Sequence, residues 1–319
     1  GDDVFSEDPT VNLLQEMAAA RMGKEAGLFV SSGTMGNLIA VLANCQRGDE
    51  VIMGDLGHTF LFEAGGISAL GGIFPHTLRN QPDGSIQFAD IESAIRPDDI
   101  HHPVSRMLIL ENTHNRCGGV VLSEAYTKNA AEVCKKHNLL LHLDGARIFN
   151  AAAALGMDAG KLAAPADSVT FCLSKGLCAP VGSVLCGSTE FIKRSRRIRK
   201  MLGGGMRQAG ILAAAGIIAL EKMPSRLADD HQRAKKLAQG LAEIPGIRFD
   251  QGMPQTNMVF ISADDSIKMT TGAILHKLSD HGIKVGKTGE KRFRLVTHYW
   301  IDDEDVTSVI NAFREILVK

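Results

Sequence analysis

Leu139-Leu140-Leu141-His142-Leu143 runs directly into Asp144-Gly145-Ala146-Arg147, and Ser168-Val169-Thr170-Phe171-Cys172-Leu173 runs into Ser174-Lys175-Gly176. Each apolar run has the length and β-branched, aromatic content of a strand buried on both faces. The reading places an acid and a lysine at the carboxyl ends of neighbouring strands. Open α/β sheets gather their ligands at that edge.

Working outward, strand and helix signals alternate. Asp8 caps a helix over Pro9–Met22, with proline in the first turn and Gly23 as the stop. Gly27–Val30 (strand), Gly33–Cys45 (helix), Glu50–Met53 (strand), His58–Ala69 (helix) and Arg106–Leu110 (strand) follow. Ser123–His137 is then a helix, and Leu139–Leu143, Val169–Leu173 and Ser183–Cys186 are strands. Such alternation predicts an α/β fold, a mainly parallel sheet covered by helices on both faces. Gly203-Gly204-Gly205 separates a basic helix, Phe191–Met201, from a small-residue helix, Gln208–Glu221. Within the latter, Ile211–Leu220 contains only Ala, Ile, Leu and Gly, a composition for the interior or a subunit interface.

Beyond Pro224 the pattern changes to a charged helix, Arg226–Ala242, and short strands at Asn257–Ile261, Lys284–Val285 and Phe293–Val296. Helices flank them at Gly272–Asp280 and Asp303–Leu317. The expected organisation is a large domain over 1–223 and a smaller C-terminal α+β domain over 224–319.

The 319 residues suffice for a large core and two domains. A net charge of −1 gives no reason to expect nucleic acid or an anionic membrane as partner. No apolar run approaches the roughly 20 residues of a membrane span, and the opening Gly1-Asp2-Asp3 reads as neither signal peptide nor transit sequence. Six cysteines without CxxC spacing suit a reducing, cytoplasmic setting. No two histidines have ligand spacing on a helix, so no metal site is expected.

The acid–lysine pair matches what pyridoxal phosphate requires: an amine to form the imine, and a carboxylate facing the pyridinium nitrogen. Ser32-Gly33-Thr34 opens a helix straight after a strand, an anion site by its free N–H groups and dipole, though equally a common cap. There is no Walker lysine and no GxGxxG after the first strand, which argues against nucleotide binding. His58 and His114 both fall at strand ends on the ligand side. Arg147 and Arg207 read by themselves as surface cations. Arg294, inside Phe293-Arg294-Leu295-Val296, is costly to bury without an anionic partner, and a substrate carboxylate suits its two-pronged donors.

Taken together, these segments resemble the low-specificity L-threonine aldolases of the fold-type I pyridoxal-phosphate superfamily, through nearly the whole chain. The markers are Gly1-Asp2-Asp3, Asp8-Pro9-Thr10, Ser32-Gly33-Thr34, His58 with Phe62-Glu63-Ala64-Gly65-Gly66, and Glu111-Asn112-Thr113-His114-Asn115. His142 to Arg147, Leu173 to Leu177, Ala179-Pro180-Val181-Gly182, Gly203 to Gln208, Thr256-Asn257-Met258 and Arg294 to His298 continue in the same order.

The resemblance implies that Lys175 holds the cofactor, Asp144 pairs with its ring nitrogen and His58 stacks on the ring. Gly33 and Thr34 hold the phosphate, with Arg207 reaching it from a neighbouring subunit of a homodimer or homotetramer. Arg147 and Arg294 take the substrate carboxylate, Arg147 close to the cofactor as well. His114, with His58, lies near the substrate hydroxyl, and Phe62 is similar to an aromatic position of the pocket wall. Family members usually carry an N-terminal arm, contributing a hydroxyl residue, before the motif at which this sequence begins. The implied reaction is aldol cleavage of L-threonine or L-allo-threonine to glycine and acetaldehyde. Other pyridoxal-phosphate chemistry (β-elimination, transamination) and a non-catalytic assembly role are the competing readings.

Overall fold

A computed structural model describes residues 1–318. The chain forms two compact units: Gly1–Cys117 with Val121–Ser225, and Gly118–Val120 with Arg226–Lys319.

The first unit is built on seven strands: β1 (Ala26–Val30), β2 (Glu50–Gly54), β3 (Phe74–Leu78), β4 (Ser105–Glu111), β5 (Leu140–Asp144), β6 (Ser168–Cys172) and β7 (Ser183–Gly187). Their order is β1-β7-β6-β5-β4-β2-β3. Strands β3, β2, β4, β5 and β6 pair in parallel; β7 runs antiparallel to both β6 and β1. Every residue of β2, β6 and β7 is buried, as a sheet covered on both sides requires.

The helix over Gly33–Asn44 shows how closely the layers approach. A Cβ on Gly36 would come 2.5 Å from Thr170 Cγ2 of β6, and one on Gly33 2.9 Å from Cys172 Sγ. Glycine at both positions lets the start of this helix sit against the carboxyl end of β6. Asp8 caps the helix Pro9–Met22 as expected, its Oδ1 accepting the N–H of Thr10 and Val11.

Two expectations need correction. The single helix read over His58–Ala69 is two, His58–Leu61 and Gly66–Gly71, parted where Ala64 (φ 53°) and Gly65 (φ 65°) adopt left-handed backbone. The strand read at Lys284–Val285 lies further on, at Gly286–Gly289. Strand β3, on the sheet edge, and the helix Phe88–Ala94 had no counterpart in the sequence reading.

The helix Gly210–Lys222 buries Ala213, Gly216, Ala219 and Leu220, while Ile211 and Ile218 stand 81% and 53% exposed. Among the described residues no helix is long and apolar enough to cross a membrane.

The second unit is a wholly antiparallel sheet of β8 (Ile247–Arg248), β9 (Met258–Ala263), β10 (Gly286–Gly289) and β11 (Arg292–Val296), in the order β10-β11-β9-β8. Leu237, Leu241, Val259, Ile274, Phe293 and Phe313 are central to its core. A capping box at Asp302 and Asp305 starts the last helix, Asp303–Leu317.

A buried ion pair ties the start of the chain to the first unit. Arg199 Nη2 lies 2.8 Å from Asp3 Oδ2, both side chains almost fully buried, and Arg199 Nη1 donates to Phe29 O at 2.7 Å. Removing one member strands a buried charge, at a cost of about 3–5 kcal/mol. Arg199→Met should therefore lower the urea or thermal midpoint clearly, with part of the loss recovered by adding Asp3→Asn. An unchanged midpoint in the single variant would contradict the pairing.

Candidate active site

Three parallel strands end side by side. Glu111, last in β4, is the Cα partner of Asp144, last in β5, and Asp144 pairs in turn with Thr170 of β6. The Glu111 carboxylate accepts the backbone N–H of His58 at 2.7 Å and of Asn115 at 2.9 Å. One end residue thus fixes the starts of the segments carrying His58 and His114. Asp144 is 2% exposed; its Oδ1 accepts the N–H of Ala146 at 3.0 Å, and its Oδ2 accepts from Asn37 Nδ2 at 2.9 Å.

Lys175 follows β6 in a pinned loop. Leu173 and Ser174 donate to Gly182 O, and Cys178 N–H donates to Lys175 O at 2.9 Å. Buried Leu173 and Leu177 anchor the two sides of the lysine.

These residues converge on one cavity of about 310 Å³, whose wall includes Lys175, Asp144, His58, Gly33, Thr34 and Asn37. Ser32 caps the helix by accepting Met35 N–H at 3.1 Å. The first-turn N–H groups of Gly33 and Thr34 have no intrahelical acceptors, which is what a phosphate group seeks. An amine, a buried acid and an anion cradle around one space of this size fit pyridoxal phosphate.

Beside the acid lies a hydrogen-bonded chain that sequence reading had not assembled. His58 Nδ1 meets Glu63 Oε1 at 2.9 Å, and the same oxygen accepts from Asn37 Nδ2 at 2.9 Å. Asn37 Oδ1 faces His142 Nε2 at 3.2 Å, and His142 Nδ1 faces Ser168 Oγ at 2.8 Å. The hydrogen bond to Glu63 raises the His58 pKa against the opposing effect of burial. Burial also raises that of Glu63, against the lowering effect of its hydrogen bond to His58. Full burial pushes His142 down to about 4, leaving it neutral at ordinary pH.

His58, Glu63 and Asp144 each bring a potential ligand atom within 4.8 Å of the others. Asn37 donates to both of these carboxylates, so hydrogen bonds already knit the cluster together. His142, Glu63 and Ser168 had appeared in quoted stretches, without roles. Asn37 carried no signal beyond being a polar residue in an apolar helix.

The remaining expected residues are distributed as follows. His114 is 1% exposed and lines a space of about 10 Å³ together with His58, Glu111 and Asp144. Phe62 is half exposed, its ring centroid 5.5 Å from that of His58. Arg147 is half-buried at the start of the helix Ile148–Leu155. Arg207 pairs with Asp2, at 2.6 Å from Nη2 and 2.7 Å from Nε, and is not among the residues lining the cavity. Arg294 belongs to the second unit, in β11, between Gly286 and Phe260 in the ladder.

A mainly parallel sheet, with a lysine past one strand and a buried acid ending the next, defines a fold-type I pyridoxal-phosphate enzyme. The family model described as beta-eliminating lyase matches residues 1–264. The chain belongs to the beta-eliminating lyase family. It is 46% identical over 320 residues to low-specificity L-threonine aldolase 1 of Arabidopsis thaliana, covering 99% of this chain and 89% of that protein. It is 44% identical over 319 residues to the low specificity L-threonine aldolase of Escherichia coli K12, covering 100% and 92%. The structure of a Leishmania major threonine aldolase has the same fold, with a TM-score of 0.80 at 22% identity over 95% of this chain and 89% of that one.

Proposed function

We propose that this lyase cleaves the Cα–Cβ bond of L-threonine and L-allo-threonine, giving glycine and acetaldehyde, and accepts other β-hydroxy amino acids. The observation that carries the reading is that Lys175 and Asp144 line one cavity with the Ser32-Gly33-Thr34 helix start. Its relatives named as threonine aldolases support the substrate.

Pyridoxal phosphate, when bound, supplies the electron sink for the pair left on Cα. The protein's residues do the rest. Lys175 would hold the cofactor through its amine. Asp144, as a buried carboxylate, keeps a proton on the ring nitrogen. His58 covers the ring, and Gly33 and Thr34 donate to the phosphate, with Arg207 of a neighbouring subunit as a further donor. Arg147 and Arg294 are assigned to the substrate carboxylate, which fixes the bond to be broken, and Phe62 to the pocket wall.

The β-hydroxyl proton goes to an imidazole, directly or through water. Nδ1 of His58 is engaged by Glu63, which leaves Nε2; Nδ1 of buried His114 has no hydrogen-bond partner among the described residues. Single substitutions of the two histidines separate ring stacking from proton removal.

Exposed Ile211 and Ile218 support a homodimer or homotetramer. Six free thiols, five of them buried, support a reducing compartment such as the cytoplasm.

Protein supplied with cofactor should release acetaldehyde and glycine in equal amounts from both threonine diastereomers. The family's description gives β-elimination a specific claim as the second reading. Ammonia or a keto acid without acetaldehyde would establish that chemistry instead.

A further inference from the structure

Asn37 sits at the centre of the site without having a part in the chemistry so far described. It is 1% exposed, and its Nδ2 donates at 2.9 Å both to Asp144 Oδ2 and to Glu63 Oε1. Its amide orientation is decided by the two acids. Nδ2 must face the two carboxylates, so Oδ1 faces His142 Nε2, which as the protonated nitrogen of a neutral ring donates to it, while Ser168 Oγ can donate to Nδ1. The opposite amide orientation would set an oxygen against two carboxylates. The result is a relay of neutral dipoles, Ser168 to His142 to Asn37, ending in donors aimed at two acids 107 and 26 residues away in sequence. Neutral donors steady an anion without cancelling its charge, so both acids remain available, one to the ring nitrogen and the other to His58.

We propose that Asn37, held between these acids and His142, is a positioning residue that sets the direction of Asp144 and couples it to Glu63 beneath His58. The inference rests on the pyridoxal-phosphate reading above.

The test compares wild type with Asn37→Leu, close in volume but without donors, and Ser168→Ala, which cuts the relay at its far end. Folding of each apoprotein is followed by circular dichroism, cofactor Kd by titrating apoprotein with pyridoxal phosphate, and visible absorbance across pH. Losing a hydrogen bond to a charged group changes an equilibrium about tenfold or more. Asn37→Leu should raise the cofactor Kd by that factor. It should also move the acid limb of the absorbance–pH curve upward by about one unit, because an anion that loses a donor takes up its proton more readily. Ser168→Ala should shift both in the same direction by less.

Two results would overturn the proposal: unchanged Kd and pH curve in a folded Asn37→Leu, or a raised Kd with an unmoved curve, which indicates only altered packing. If Asn37→Leu does not fold, Ser168→Ala decides by the same two measurements. Wild-type protein that develops no visible band with the cofactor would instead overturn the functional reading itself.

Discussion

Lys175→Ala should abolish the visible absorbance of bound cofactor and reduce turnover by about four orders of magnitude or more, the scale seen when a covalent nucleophile is removed. The prediction is sharp because the surroundings do not depend on this side chain. The loop is held by backbone bonds from Leu173 and Ser174 to Gly182 O, from Ala179 to Leu173 O, and from Cys178 to Lys175 O. Its apolar contacts come from Leu173 and Leu177. Alanine keeps all of these, so the unfolding midpoint should stay near that of wild type while the chemistry disappears. A variant retaining the band and the turnover would remove Lys175 from its role.

Asp144→Asn tests the other end of the cofactor. The change preserves shape and the Ala146 N–H bond to Oδ1, yet deletes the charge that would hold a proton on the ring nitrogen. With its oxygen kept on Ala146, the new NH2 replaces Oδ2 and faces the Asn37 Nδ2 donor, so that hydrogen bond is lost. Losing one partner of a buried charge pair costs about 3–5 kcal/mol, or on the order of 10²–10⁴ in rate or binding. Turnover should fall by that factor and the cofactor Kd should rise. Steady-state kinetics and apoprotein titration measure the two separately, and wild-type values in both would end the assignment.

Much of this architecture was legible in the sequence because strands buried on both faces announce themselves as unbroken apolar runs. The run before Asp144 and the run before Lys175 are adjacent strands, and their ends meet one cavity. Strand β3 escaped notice for the opposite reason. Phe74-Pro75-His76-Thr77-Leu78 lies at the sheet edge, largely part-exposed, with a proline that normally argues against a strand. The break in the His58–Ala69 helix depends on left-handed backbone at Ala64, and alanine gives no warning of that.

Asn37, Glu63, His142 and Ser168 come from four separate segments, and only tertiary packing makes them neighbours. Local pattern carries the strand ends, but it cannot carry a relay whose members are spread along 132 positions (Asn37 to Ser168).

The sheet order has a consequence for how the chain comes to be folded. Strand β1 lies at an edge, and its partner is β7, with Ala26 opposite Gly187. On a ribosome adding about 5–20 residues per second, the apolar Leu28-Phe29-Val30 segment waits roughly 8–30 s for its partner to be synthesised. During that interval its edge is open to mispairing with other nascent chains. Production of this protein should therefore respond to translation speed and chaperone supply more than a meander of the same size would.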